Sequence, residues 1–503
     1  MTTRDPSGLL VAGTTSDAGK SVVTTGLCRA LSRRGISVAP FKAQNMSNNS
    51  MVCRGPDGPG EIGRAQWIQA VAAGVEPEVA MNPVLLKPGS DRRSHVVLEG
   101  RPAGEVDARD WVEGRRHLAE AAYAAFDRLA ARFDVVVAEG AGSPAEINLR
   151  AGDYVNMGLA RHAGLPAVAV GDIDRGGVFA AMYGTVALLE PADQALLAGF
   201  CVNKFRGDPG LLRPGLDELE RLTGRRVYGV LPWHPDLWLD SEDALDLDGR
   251  RDTGGSALRV VVVRLPRISN FTDVDALGIE PGVDVTFAAG PRGLDDADLV
   301  VLPGTRSTVA DLAWLRERGL DRAVARHVRR GRPVLGICGG YQMLGETIAD
   351  PDRVEGGSAV APGLGLLPVH TRFDRDKVLA LSEGDWAGEP VTGYQIHHGR
   401  VEPRGPVAAF PGGARQGAVF GTLWHGSLES DGFRAAFLAE VAGAVGRDWE
   451  GSGARFGVRR EARLDLLGDL VEKHLDVDGL LDLARHGAPD GLPVLAPGSG
   501  RSG

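Results

Sequence analysis

Two short segments of this 503-residue chain carry residue types at spacings that suit bond-making chemistry. The first, LLVAGTTSDAGKSVVTTGLCRAL, sets an apolar run ahead of a loop from Gly13 to Gly19, then Lys20-Ser21 and an amphipathic stretch. Strand, loop and helix in that order are the context in which backbone N–H groups and a helix N-terminus cradle phosphate oxygens. Gly13, Thr14, Thr15 and Gly19 would form the cradle, Lys20 would add a point charge, and the Ser21 hydroxyl could hold magnesium. The spacing departs by one from GxxxxGK[ST], because Thr14 holds the first glycine's place and Gly13 precedes it. The second segment, RPVLGICGGYQMLG (332–345), sets Cys338 at a strand-to-helix turn. A thiol there sits at the positive end of a helix, which favours thiolate, and Gly336, Gly339 and Gly340 relieve the crowding of a sharp nucleophile elbow. His425, just beyond the apolar run of GTLWHGSLE, is the base such a thiol needs. Backbone N–H groups at Gly339 and at Gly304, in the turn LPGTRST, would stabilise an oxyanion.

Other strand ends supply further candidates. DVVVAEGAG (134–142) ends a buried-type run in Glu139, the acid expected to complete a metal site with Ser21. AVAVGDIDRGG (167–177) ends in Asp172 and Asp174, and GFCVNKFRGD (199–208) carries Asn203 where purine bases are often read. The doublet His397-His398 is no joint metal site on this reading, because adjacent strand residues face opposite ways. Cys28 and Cys201 read as buried structural cysteines.

These groups need elements to hold them. Over the first 240 residues short apolar runs at 8–13, 37–42, 134–139, 166–171, 199–204 and 227–231 alternate with glycine-rich turns and amphipathic stretches, the signature of parallel βαβ units. The polar segment 241–257 reads as a linker. Runs at 258–266, 284–288, 298–302, 333–337, 363–370 and 418–424 predict a second α/β domain over 258–445. Residues 446–503 are expected to form a helical extension, with a helix over 455–485 and a disordered tail. The fold class is therefore α/β, two doubly wound domains with mainly parallel sheets. Glycine and proline, 70 and 30 residues, exclude a coiled coil or rod and suit many tight turns.

Charge and cysteine usage bound the partners. With 56 basic and 66 acidic residues the net charge is −10, which disfavours a broad nucleic-acid face. Four scattered cysteines without a CxxC pair disfavour a disulfide framework and a structural zinc site. The N-terminus lacks a signal-peptide pattern and no apolar stretch reaches roughly 18 residues, so a cytoplasmic protein without membrane contact is expected. The sequence leaves a homo-oligomer open.

The constellation resembles the cobyric acid synthases, glutamine-dependent amidotransferases of cobalamin biosynthesis. The resemblance covers roughly residues 6 to 445 and rests on FKAQNMSNNS (41–50), GEIGRAQ (60–66), MNPVLLKP (81–88), EGAGSPAEINLR (139–150), GDIDRGGVFA (171–180), NKFRGD (203–208), LPGTRST, GICGGYQMLG and WHG. The first domain also resembles dethiobiotin synthetase and the second the class I glutamine amidotransferases. A glutamate usually stands two residues after the histidine in that class; here Ser427 does, so a Cys-His dyad is expected and its third member stays open. Gln395 likewise stands where the family more often shows Glu.

The resemblance implies that Cys338 attacks glutamine and that ATP with Mg2+ activates carboxylates of adenosylcobyrinic acid a,c-diamide at the b, d, e and g side chains. Lys20 and Lys42 would offset phosphate charge, and AQNMSNN, including Gln44 and Asn45, would line the corrinoid pocket together with GEIGRAQ. Two rivals remain at this point. One is cobyrinic acid a,c-diamide synthase, which typically shows a GPDYIDP-like segment where this chain has AQNMSNN. The other is a ParA-like nucleotide switch, whose early loop lysine is absent from Thr14-Thr15-Ser16.

Overall fold

The structure, a computed structural model, describes residues 8–89, 93–107, 115–235, 237, 258–355 and 359–496. The stretch read as a linker and the last seven residues lie outside these.

The first sheet is parallel throughout, with strands in the order Arg226–Pro232, Leu197–Phe205, Ala167–Asp172, Gly8–Gly13, Val135–Glu139 and Val38–Phe41. Its central strands are buried along their whole length, which is why they read as continuous apolar runs rather than alternating ones. Leu10 faces one core with Phe126, Leu159 and Met182. Leu9 and Val11 face the other with Val23, Leu27 and Leu31, the two-residue period of a strand covered on both sides.

That second core draws on the far end of the chain. Helices Phe456–His474 and Val477–His486 place Leu464, Val471, Leu480 and Leu483 in it. Arg29 pairs with Asp465 at 2.8 Å and Arg33 with Asp469 at 2.7 Å, both across to helix Lys20–Arg33. Contact is so close at Gly26 that a Cβ there would lie 2.4 Å from Val471 Cγ2. The single helix expected over 455–485 is two: Asp476 donates its N–H to Tyr228 O at 2.7 Å, and its side chain caps the second helix by accepting from Gly479 N at 2.9 Å. The chain thus leaves the second domain and returns to finish the first.

The second sheet runs Val283–Ala288, Leu258–Val263, Leu299–Leu302, Val334–Ile337 and Val419–Thr422 in parallel, then Gly413–Gln416 and Ala408–Phe410 antiparallel. The run at 363–370 is not one of its strands. Leu366 and Leu367 donate to Leu344 O in a turn, and the strand begins only at Val369, in a separate sheet dominated by the hairpin Val369–Trp386 and Glu389–Pro403.

Between strands Val38–Phe41 and Val135–Glu139 the chain inserts a small sheet (Gln44–Met46, Val84–Pro88, Arg93–Leu98, Arg101–Asp107) and a hairpin (Ser50–Gly55, Gly58–Gly63). This insertion joins the domains. Met51 and Val52 pack with Tyr394 and Ile396, Ser50 N donates to Asn270 Oδ1 at 2.8 Å, and Arg267 Nε donates to Gly89 O at 3.0 Å.

Candidate active sites

Both sets of candidate residues lie at the carboxyl ends of parallel strands, where open α/β sheets place ligands. In the first domain the loop after strand Gly8–Gly13 closes on itself. A Cβ on Gly13 would meet Lys20 Cγ and Nζ at 3.0 Å, so glycine there lets the lysine lie across the loop. Lys20 Nζ donates to Thr15 O and Ser16 O at 2.9 Å and to Gly142 O at 3.2 Å. Thr14 N donates to Val170 O at 2.9 Å, tying the loop to the neighbouring strand. Gly19 has φ 98°, and a Cβ on it would run into the Asn203 amide, which donates to Ala18 O at 3.0 Å.

Glu139 is fully buried and accepts from Ser21 Oγ at 3.0 Å, from Lys42 Nζ at 2.9 Å and from Gln69 Nε2. Burial pushes its carboxyl up, but the Lys42 ammonium, the hydrogen bonds from Lys42 and Gln69, and Lys20 together hold it below the usual range. An ionised carboxylate beside a hydroxyl, next to a phosphate cradle, is a donor set of hard oxygens that fits Mg2+.

Asp172 and Asp174 lie at the next strand end but are otherwise engaged. Asp172 pairs with Lys204 at 2.8 Å, and the same ammonium donates to Asp17 O at 2.8 Å, so this pair braces the phosphate loop. Asp174 pairs with Arg206 at 3.2 Å. Gln44 and Asn45 line a cavity of about 350 Å3 with Lys20, Lys42, Arg150 and Tyr154. Gln44 Oε1 accepts from Tyr154 Oη, and Asn45 Nδ2 donates to Gln66 Oε1 at 3.1 Å.

In the second domain Cys338 has φ 50° and ψ −108°, the strained turn of an elbow between strand Val334–Ile337 and helix Gly339–Leu344. The glycines make that turn sterically feasible: a Cβ on Gly340 would come 1.9 Å from Leu302 O, and one on Gly336 2.7 Å from Tyr341 N. Gly304 packs against His425, where an added Cβ would sit 3.0 Å from Cε1, and Gly339 packs against Thr305. Cys338, His425, Gly304 and Gly339 are thereby gathered at one strand-end cluster.

His425 Nδ1 bonds Asp273 Oδ2 at 2.7 Å, and Asp273 Oδ1 accepts from Gly426 N at 2.8 Å. Burial would lower the imidazole, but Asp273, the Cys338 sulfur and hydrogen bonds to both raise it to about 10. Asp273 stands on the turn Phe271–Val274 and is the partner of His425 that motif spacing did not reveal. Its one signal was an acid in the loop after strand Leu258–Val263, not at the strand's end as Asp172 is. Glu429, two positions beyond Ser427, accepts from Arg64 Nη2 of the first domain and from Arg460 Nη2, each at 2.8 Å.

A cavity of about 50 Å3 beside Cys338 is lined by residues from both domains. His397 and His398 both border it, against the alternation expected of a strand, because residues 374–377 of the facing strand bulge out between the pairs Phe373–Gly399 and Val378–His397. Burial lowers both imidazoles to about 4. Glu355, also on the wall, is raised to about 7 by burial, with Arg306 opposing. Among the described residues no helix is long and apolar enough to cross a membrane.

Two family models match the chain. Residues 259–433 match the CobB/CobQ-like glutamine amidotransferase domain, and residues 9–246 match the CobQ/CobB/MinD/ParA nucleotide binding domain. A cobyric acid synthase of Mycolicibacterium vanbaalenii is 71% identical over 493 residues, covering 98% of this chain and 100% of its own. One from Mycolicibacterium gilvum is 70% identical over 494 residues and one from Mycobacterium tuberculosis 71% over 497, with the same coverage of both chains.

Proposed function

The chain belongs to the cobyric acid synthase family, and from that membership we propose how its two sites divide the amidation of a corrinoid. The reaction is ATP- and glutamine-dependent conversion of the b, d, e and g carboxylates of adenosylcobyrinic acid a,c-diamide to amides. The observation that carries the division is the pairing, in one chain, of a Cys338–His425–Asp273 array with a phosphate loop that shares Glu139 between Ser21 and Lys42.

Cys338 Sγ attacks the glutamine carboxamide carbon, and the oxyanion is met by N–H groups at Gly339 and Gly304. Collapse of the intermediate breaks the C–N bond, with His425 donating a proton to the departing nitrogen, which leaves as ammonia. Asp273 holds the imidazole for that transfer. Water then releases glutamate from the thioester, His425 accepting its proton.

In the first domain the Gly13–Ser21 loop holds the ATP phosphates, and Asn203, whose amide donates to Ala18 O of that loop, would read the base. The corrinoid carboxylate attacks the γ-phosphorus, forming an acyl phosphate and ADP; ammonia displaces phosphate to leave the amide. Ser21 and Glu139 would hold Mg2+, which would supply neutralisation of phosphate charge when bound. Lys20 and Lys42 lie beside that charge, and the cavity bearing Gln44 and Asn45 opens next to both lysines, where a corrinoid side chain would enter. Four buried, unpaired cysteines suit a reducing cytoplasm.

Mass spectrometry of a corrinoid incubated with enzyme, ATP, magnesium and isotopic glutamine tests the assignment. Four labelled amides on the a,c-diamide support it; two on unamidated cobyrinate would point to the diamide synthase instead. Cys338→Ala should abolish turnover with glutamine and keep it with free ammonium. Equal loss with both nitrogen donors overturns the division of labour.

A further inference from the structure

The cavity at Cys338 is not built by the second domain alone. Asn48 and Lys87 of the first domain border it, together with Arg306, Glu355 and Lys377 of the second. Lys87 stands on strand Val84–Pro88 and is 6% exposed. A lysine is rarely so buried unless paired. Its ammonium donates to Ser50 Oγ at 2.9 Å and pairs with Glu61. Glu61 is itself fully buried, accepts from Ser50 Oγ at 2.7 Å and pairs with Lys377, which reaches it from the second domain.

One carboxylate between two ammonium groups leaves this wall cationic, and Arg306 adds to it. Glu355 is the carboxylate on the cavity wall, where it accepts from Thr308 Oγ1 at 3.0 Å and Val309 N at 3.3 Å. An L-α-amino acid whose side-chain amide reaches Cys338 brings one carboxylate and one ammonium to these walls. Charge complementarity pairs its ammonium with Glu355 and its carboxylate with the cationic side.

We propose that Lys87, braced by Glu61, binds the α-carboxylate of glutamine, so that the first domain completes the glutamine site of the second. This rests on the reading of Cys338 as the glutamine-hydrolysing thiol. An ammonium has three N–H bonds; Ser50 and Glu61 take two of Lys87's, and the third serves the substrate. The arrangement links ammonia release to a docked acceptor domain, because glutamine is held well only where the insertion meets the amidotransferase site.

The test uses the full-length chain and two alkylating reagents. The diazoketone 6-diazo-5-oxo-L-norleucine carries the α-amino-acid head, and iodoacetamide does not. Lys87→Met should slow labelling of Cys338 by the diazoketone about ten- to a hundredfold, the worth of one charge-assisted hydrogen bond, and raise the glutamine KM by a similar factor. Iodoacetamide labelling and ammonium-supported amidation should be largely retained, and Lys87→Arg should restore part of the diazoketone rate. Glu61→Gln, which loosens the brace while keeping volume, should give a weaker form of the same selective loss. Unchanged diazoketone labelling in Lys87→Met overturns the proposal. So does a parallel loss with both reagents, which would make Lys87 a domain-packing residue. Failure of either reagent to label Cys338 in the unaltered chain would instead overturn the thiol assignment itself.

Discussion

Asp273 and His425 stand 152 positions apart in the chain and meet at 2.7 Å, both buried, with the second Asp273 oxygen accepting from the backbone N–H of Gly426. The acid comes from the loop after the first strand of its domain rather than from the histidine's own segment, where Ser427 stands. A carboxylate so placed fixes the imidazole tautomer and stabilises the imidazolium that must protonate the departing amide nitrogen to release ammonia.

Asp273→Asn keeps the shape and removes the charge. Turnover with glutamine should fall by about 100- to 10,000-fold, as for other orienting carboxylates, while turnover with ammonium persists. The pH behaviour should change with it. His425 is raised from 6.5 to about 10, so the pair's contribution to stability is full below about pH 6.5 and is lost as pH climbs through 10. In Asp273→Asn the largest raising influence disappears, and the basic limb of the glutaminase profile should move down by at least one pH unit. A profile that stays put would assign the tuning to Cys338 alone.

Glu139 should separate the two chemistries in the opposite sense. Glu139→Gln leaves Lys42 and Lys20 without their shared counter-charge and weakens the oxygen donor set beside Ser21. Amidation should drop about 100-fold or more with glutamine and ammonium alike. Labelling of Cys338 by iodoacetamide should be unaffected. Selective loss of the glutamine reaction would contradict the assignment.

Those two sites were legible in sequence for a common reason. Parallel strands buried on both faces read as apolar runs, and glycine-rich turns at their ends mark where Cys338, His425, Glu139 and the Gly13–Gly19 loop must emerge. The insertion from Gln44 to Asp107 carried no such pattern. Its strands are short, and Gln44, Ser50, Glu61 and Lys87 are buried through side-chain pairing, Gln44 with Tyr154, Ser50 and Lys87 with Glu61, and Glu61 with Lys377 across the domain interface, which no local period reports. The hairpin Val369–Trp386 and Glu389–Pro403 was hidden for the opposite reason: much of it is solvent-exposed and charged, so alternation toward a core is weak. Asp273 was missed because a partner across the fold obeys no spacing rule.

The elbow glycines give a prediction on stability. In Gly340→Ala the new methyl would collide with Leu302 O, a backbone atom of the neighbouring strand that cannot rotate away. The elbow or the strand must shift, at a cost of about 1–3 kcal/mol. Thermal melting should report that loss, and Cys338 alkylation by the diazoketone should slow because the thiol moves with the turn. Unchanged melting and labelling would show that the turn has slack the geometry does not suggest.

The returning C-terminal helices carry the last prediction. Leu467 is fully buried and lies against Gly26 of the helix that follows the phosphate loop, where a Cβ would come 3.3 Å from Leu467 Cγ and 3.2 Å from its carbonyl oxygen. Leu467→Ala removes most of a core side chain and should cost about 2–5 kcal/mol. The loss falls on the first domain, although the residue follows the second in sequence. Near the melting point, ammonium-dependent amidation should therefore fail before diazoketone labelling of Cys338 does. If labelling failed first, the helices would be supporting the thiol domain, contrary to the core they enter.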